Sequence, residues 1–157
     1  MHTQTNRPQG PADLGGSWSR VAVFASAVDG NLDKWLADTY RLGLTEYRAL
    51  GYLRFADDRE LRVSELARKV GLNPSSVTRL VSRLEAKGLA VRDVCEDDGR
   101  GVFAVLSDRG ESLAAEIEQP FADRLRDVLA SPDVHFPEFD AEVVGSAMSD
   151  VRRLLGE

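Results

Sequence analysis

The stretch from Asn73 to Gly88, NPSSVTRLVSRLEAKG, places Val77, Leu80, Val81 and Leu84 at i, i+3, i+4 and i+7, one apolar stripe of an α-helix. Asn73 suits the N-cap, Pro74 the first turn, and Gly88 the end of the helix. The opposite face carries Ser75, Ser76, Thr78, Arg79, Ser82 and Arg83. Short hydroxyl residues are mediocre helix formers, so their concentration on one face calls for a reason beyond helix stability. They let a helix approach base edges and phosphates closely, and two arginines add forked donors matched to guanine or phosphate oxygens.

The neighbouring segments turn this helix into a motif. Upstream, VSELARKVGLN reads as a short helix capped by Ser64, with Val63, Leu66, Ala67 and Val70 inward and Gly71 permitting a tight turn. Two short helices joined by such a turn form a helix-turn-helix, whose second helix enters the major groove of duplex DNA. Downstream, LAVRDV and VFAVLS alternate as strands, with EDDGRG between them as a hairpin tip. The expected fold is mainly α: a winged helix-turn-helix with a small antiparallel β-wing and dimerisation helices at both ends. Asn73, Pro74, Ser75, Ser76, Thr78, Arg79, Ser82 and Arg83 are its candidate DNA contacts.

Charge distribution supports this reading where total charge does not. The 157-residue chain has a formal net charge of −6, yet Arg59 to Arg92 holds eight basic residues against three acidic ones. A basic face on an acidic protein follows phosphates while the remaining charge limits indiscriminate binding. The single cysteine, with His2 and His135 far from it, offers no local metal-ligand spacing, and neither a cofactor nor enzymatic activity is expected. With 43% hydrophobic residues the chain can bury a core. No apolar run reaches membrane-span length and the N-terminus lacks an apolar signal core, which predicts a cytoplasmic protein with no membrane partner.

In chain order, residues 1–16 read as a disordered Gly/Pro/Gln-rich tail and 17–43 as an N-terminal dimerisation helix. Val21, Phe24, Val28, Leu32, Trp35 and Leu36 lie close to heptad spacing, and Gly30-Asn31 predicts a kink or break. Residues 44–107 form the expected DNA-binding domain. It opens with a helix capped by Thr45 that turns Tyr47, Leu50 and Leu53 inward, and Leu61 to Val63 adds a third strand. Residues 108–157 supply the C-terminal dimerisation helices. Ser107 caps the first, which carries Leu113, Ile117, Phe121, Leu125, Val128 and Leu129 on one side and is expected to kink or break at Pro120. SPDVHFPEF reads as a loop, and Val143, Val144, Ala147, Met148, Val151, Leu154 and Leu155 mark a final helix. The terminal helices carry more apolar surface than one small reading domain can cover, so a second copy of the chain is the expected partner, in a two-fold dimer matched to a palindromic site.

GLTEYRALGYL, VSELARKVGLNPSSVTRLVSRLEAKGLAVR and DGRGVFAVLSDRG resemble, over roughly residues 20 to 130, the multiple-antibiotic-resistance regulator (MarR) family of bacterial transcription factors. Asp98, Arg100, Leu106, Ser107 and Gly110 occupy the positions of that family's wing motif. The resemblance implies that Arg100 enters a minor groove, where narrow geometry concentrates negative potential, and that Asp98 orients the wing. It also implies a repressor released by a small aromatic or lipophilic effector, for which Trp35, Tyr40, Tyr47 and Tyr52 are the candidate pocket residues. Two departures bear on the transfer. The wing carries Glu96, Asp97, Gly99 and Gly101 where relatives are often basic. The reactive N-terminal cysteine of the family's peroxide sensors is absent, and Cys95 stands beside three acidic residues that oppose thiolate formation. The competing readings are a winged-helix protein-interaction module without DNA binding and a redox-responsive regulator using Cys95. A methyltransferase carrying a winged-helix region would need a Gly-rich strand-to-helix loop, and none is present.

Overall fold

The computed structural model describes residues 13–94 and 101–156. Two compact units emerge: one from Leu32 to Arg126, the other from the residues up to Asn31 with those from Asp127 onward. The elements in order are α1 (Leu14–Tyr40), α2 (Leu44–Arg54), β1 (Glu60–Arg62), α3 (Val63–Val70), α4 (Pro74–Ala86), β2 (Ala90–Val94), β3 (Val102–Leu106), α5 (Asp108–Ala130), α6 (Pro132–His135) and α7 (Ala141–Leu154). Mainly helical content with one small antiparallel sheet is the expected winged helix-turn-helix. Among the described residues no helix is long and apolar enough to cross a membrane.

In the unit from Leu32 to Arg126 the sheet order is β1-β3-β2, both pairs antiparallel, with Leu61 opposite Ala104 and Arg92 opposite Ala104 on the other side. The third strand foreseen at Leu61 to Val63 thus forms one residue earlier. Because Arg62 still pairs with Phe103, helix α3 starts at Val63, and Ser64 lies inside it rather than at its cap. Gly71 then takes a left-handed φ of 72°, which lets the Leu72 N–H return to the Ala67 carbonyl at 2.9 Å and turns the chain into α4. The inward face of α4, Val77, Leu80, Val81 and Leu84, is buried with Leu50, Leu53 and Leu66. Ser107 caps α5 as expected: its Oγ accepts from the Gly110 N–H at 3.0 Å and donates to the Gly88 carbonyl at 2.7 Å. Gly110 is required by close approach, since a Cβ there would fall against the Leu89 carbonyl oxygen.

Several local expectations give way to packing. Helix α1 runs unbroken through Gly30 and Asn31. A glycine costs about 1 kcal/mol in a helix interior, less than the gain from burying Phe24, Val28, Leu32 and Leu36 at four-residue spacing along one face. It also begins at Leu14, with Asp13 accepting from the Gly16 N–H at 3.1 Å, so the helix reaches into the stretch read as tail. Helix α5 likewise continues through Pro120. The carbonyl that loses its partner there is that of Glu116, an exposed residue, and Ile117 on the other side is fully buried. Helix α2 is not capped by Thr45. Its first N–H groups are met by Glu46, which accepts from Gly43 at 2.8 Å, and by Asp33, which accepts from Leu44 at 2.8 Å.

The other unit joins the start of α1 to α6 and α7. Phe24 packs edge-on against Phe136 and Phe139 at ring distances of 5.8 and 5.6 Å. The buried Ser17 hydroxyl donates to Asp150 at 2.9 Å, and Asp140 caps α7. The segment read as a loop before α7 contains the single turn α6.

Candidate nucleic-acid interface

Helix α4 presents the face its sequence promised. The Asn73 side chain accepts from the Ser76 N–H at 2.8 Å and from the Ser75 hydroxyl at 2.9 Å, which fixes the first turn. Asn73, Pro74, Ser75, Thr78, Arg79, Ser82 and Arg83 are exposed, and Ser76 is half-buried. The hydroxyls of Thr78 and Ser82 donate to the carbonyls of Pro74 and Thr78 at 2.9 and 3.0 Å. Their protons are therefore spent within the helix, while their oxygens remain able to accept, as that of Ser82 does from Arg92.

The two arginines of this face differ. Among the described residues Arg79 is held only by a long 3.4 Å bond from Nε to the Ser75 carbonyl. Arg83 is tied through Nε to Glu46 Oε1 at 3.1 Å. Glu46 is buried, and its Oε2 also accepts from Lys87 Nζ at 2.6 Å, while Lys87 reaches the Arg41 carbonyl at 2.9 Å. Burial pushes the Glu46 carboxyl up. The hydrogen bonds from Lys87 and Gly43, the Lys87 charge and the Arg83 hydrogen bond outweigh it and hold the group below the ordinary glutamate range. The start of α2 and the end of α4 are thus joined by an ionised carboxylate.

Arg92 in β2 completes the face from outside the helix. Its Nη2 donates to the Thr78 carbonyl and the Ser82 hydroxyl, each at 2.8 Å, while Nη1 pairs with Glu85 at 2.9 Å. Neither Glu46 nor Arg92 was singled out by sequence reasoning. Placing the helix start at Gly43 rather than Thr45 would have put Glu46 at the third helical position, where a glutamate reaches back to the cap. For Arg92 the only signal was membership of the basic segment.

Asp98 and Arg100 of the wing motif, and Cys95, lie outside the described residues. The aromatic candidates separate into two groups. Trp35 meets Tyr40 edge-on at 5.6 Å and Phe121 at 6.4 Å, and Tyr47 meets Phe121 at 4.7 Å, so Phe121 is the ring that gathers Trp35 and Tyr47. Burial raises the Tyr47 hydroxyl pKa, and the Glu118 charge adds to it against the opposing charge of Arg54. Tyr52 does not join them. It is exposed beneath Lys69 at 5.7 Å and lines a cavity of about 450 Å³ with Phe55 and Glu65.

A sequence profile of the MarR family matches residues 42–101. The chain is similar to an uncharacterized HTH-type transcriptional regulator, YfiV, of Bacillus subtilis (strain 168), being 28% identical over 93 residues, which are 59% of this chain and 56% of that protein. Only a little over half the length of that relative is therefore matched. It is also similar to the HTH-type transcriptional regulator PecS of Dickeya dadantii (strain 3937), 29% identical over 116 residues, 73% of this chain and 68% of the relative. Among solved structures, Sco3205, a MarR family transcriptional regulator from Streptomyces coelicolor in complex with DNA, superposes with a TM-score of 0.71 and 25% identity, covering 98% of this chain and 92% of that one.

Proposed function

We propose that the chain is a transcriptional regulator of the MarR type that binds a specific double-stranded DNA site as a homodimer. The observation that carries this reading is α4 itself: a buried stripe of Val77, Leu80, Val81 and Leu84 beneath an outer face of small polar residues, with Arg79 exposed and Arg83 and Arg92 anchored at its margins. Such a face fits the major groove, where arginine forks read guanine and small side chains allow close approach. The complex with DNA formed by the Streptomyces protein supports the same choice of ligand.

In this reading residues 44–107 read DNA, and 17–43 with 108–157 supply the dimerisation helices. Asp98 orients the wing and Arg100 enters a flanking minor groove. Dimerisation is supported by Trp18 and Val23 of α1 and Val143, Met148 and Leu154 of α7, with Leu155 beside them, all exposed in the single chain. The operator is a near-palindrome, and the protein acts as a repressor. A small, partly apolar effector settles against Trp35, Tyr40 and Tyr47 and releases the DNA. Tyr40 also borders a cavity of about 250 Å³ to which Lys87 and Arg109 contribute cations, a setting that favours an anionic aromatic compound.

Selection of duplexes from a random pool by the purified protein, followed by footprinting, tests the reading. The expected product is a near-palindrome with half-sites about 34–36 Å apart, one helical turn. Enrichment of no sequence over the starting pool would overturn it. Effector release is tested by tryptophan fluorescence during a screen of aromatic acids and phenols. By reciprocity, operator DNA must weaken binding of a true effector by the same factor as the effector weakens DNA binding.

A further inference from the structure

We propose that Glu46 is a positioning residue for sequence recognition: by holding Arg83 at Nε, it presents the Nη end of that guanidinium to the DNA. The inference rests on the DNA-binding reading above and assigns a role to a residue outside the reading face.

Arg83 leaves α4 on its exposed side with about half of its side chain accessible, whereas the Glu46 side chain is 5% exposed. The carboxylate is fixed from three directions, by the Gly43 N–H, the Lys87 ammonium and the Arg83 Nε. Among the described residues Arg83 has no other hydrogen-bond partner, so its two Nη groups, with four N–H donors, are uncommitted. A free arginine on a helix surface samples many rotamers and must order all of them on binding. Anchoring Nε removes that freedom in advance and rules out the side-on approach that uses Nε and Nη2. What remains is the end-on fork, one of the two geometries that match O6 and N7 of guanine. Lys87 lies one helical turn beyond Arg83, and its bond to Glu46 keeps the carboxylate ionised and directed at α4.

The alternative is a staple that merely joins α2 to α4, and the two roles separate by coupling. Glu46→Gln and Glu46→Ala are each made in the full chain, alone and with Arg83→Ala. The amide offers one acceptor oxygen where three donors need serving, and alanine offers none. Affinities are measured for the duplex selected by the wild type and for a scrambled duplex of equal composition. The expected result is a fall of about tenfold in the ratio of the two affinities for both single variants, with no further fall once Arg83 is alanine. In the free protein, the Arg83 Nε–H resonance in nitrogen-15 spectra should move in both variants. An unchanged ratio in both variants overturns the proposal, as does an equal fall in the Arg83→Ala background or an unmoved Nε–H resonance. Failure of the wild type to select any duplex is a different result: it overturns the DNA-binding reading, and this proposal with it.

Discussion

Arg92 of β2 and Ser82 of α4 are joined by a 2.8 Å hydrogen bond from the guanidinium Nη2 to the serine hydroxyl. The Arg92 backbone N–H donates to Glu85 at 2.8 Å, and the side chain closes on Glu85 and the Thr78 carbonyl. One residue of the wing strand therefore sets the register of the strand against the middle of the helix that would read DNA. It also places a cation on the face that the helix sequence alone would leave to Arg79 and Arg83.

Arg92→Ala should destabilise the fold by about 1–2 kcal/mol, a modest figure because both ion-pair partners are about one-third exposed and screened by solvent. Urea unfolding gives the stability change. Arg92→Lys should recover little of it, since an ammonium cannot serve Ser82, Thr78 and Glu85 as a fork does.

Arg79→Ala should leave urea unfolding unchanged and weaken specific duplex binding by about 1–3 kcal/mol, the value of one bidentate base contact. Arg79 is exposed and, among the described residues, makes only the 3.4 Å bond to its own helix, so the fold should not depend on it. Fluorescence anisotropy with a labelled duplex reads the change. Undiminished binding would remove the outer face of α4 from the interface.

Gly110→Ala and Gly145→Ala should change stability in opposite directions. At Gly110 the new methyl meets the Leu89 backbone oxygen and the Leu106 side chain, and backbone cannot yield as a flexible side chain does. A loss of about 1–3 kcal/mol or more follows. At Gly145, inside exposed helix α7, a Cβ meets nothing within 4 Å, and alanine should stabilise by roughly 0.5–1 kcal/mol. Thermal unfolding of both variants decides the signs.

The parts of the fold and site that could be read from sequence are those with short-range causes. The apolar period of α4, the Asn73 cap and the turn at Gly71 each depend on residues within a few positions of one another. Thr45 and Ser64 misled because the starts of α2 and α3 are set by distant partners, Asp33 for Leu44 and Phe103 for Arg62. No break forms at Gly30 or Pro120 for the converse reason: each is a local breaker in a helix whose buried face outweighs it. The link from Glu46 to Arg83 spans 37 positions, and no periodicity announces it. Tyr52 was grouped with Trp35, Tyr40 and Tyr47 by composition, and it turns instead toward Lys69.

Acid should loosen the junction of α2 and α4. The Glu46 carboxyl is held below its ordinary value in the folded chain, so the unfolded state binds its proton first. The resulting stabilisation is fully present above the ordinary glutamate range. It declines as pH falls through that range and is lost below the lowered folded value. Lys87 and Arg83 are the basic groups that face the Glu46 carboxyl, and Asp33, beside Gly43, is the other carboxyl at this corner. Glu46→Gln should flatten this part of the stability profile in urea unfolding at a series of acid pH values. A profile of unchanged slope would show that Glu46 contributes no acid dependence.

The apolar residues of α1 and α7 give the test of assembly. Val143 and Met148 are 46% and 42% exposed in the single chain, so a carboxylate at either site is solvated in the monomer and leaves its fold intact. In a dimer that covers α7, the same carboxylate is buried against apolar surface without a partner. Even partial desolvation of such a charge costs several kcal/mol, enough to move a micromolar equilibrium to monomer. Sedimentation equilibrium of Val143→Glu and Met148→Glu should therefore show monomer at concentrations where the wild type is dimeric, with helix content unchanged by circular dichroism. Operator affinity should fall along with dimerisation, because two half-sites one turn apart are then no longer bound as a linked pair. Dimers that persist in both variants would place the two-fold interface away from these residues of α7, and a wild type that is monomeric at micromolar concentration would overturn the dimer itself.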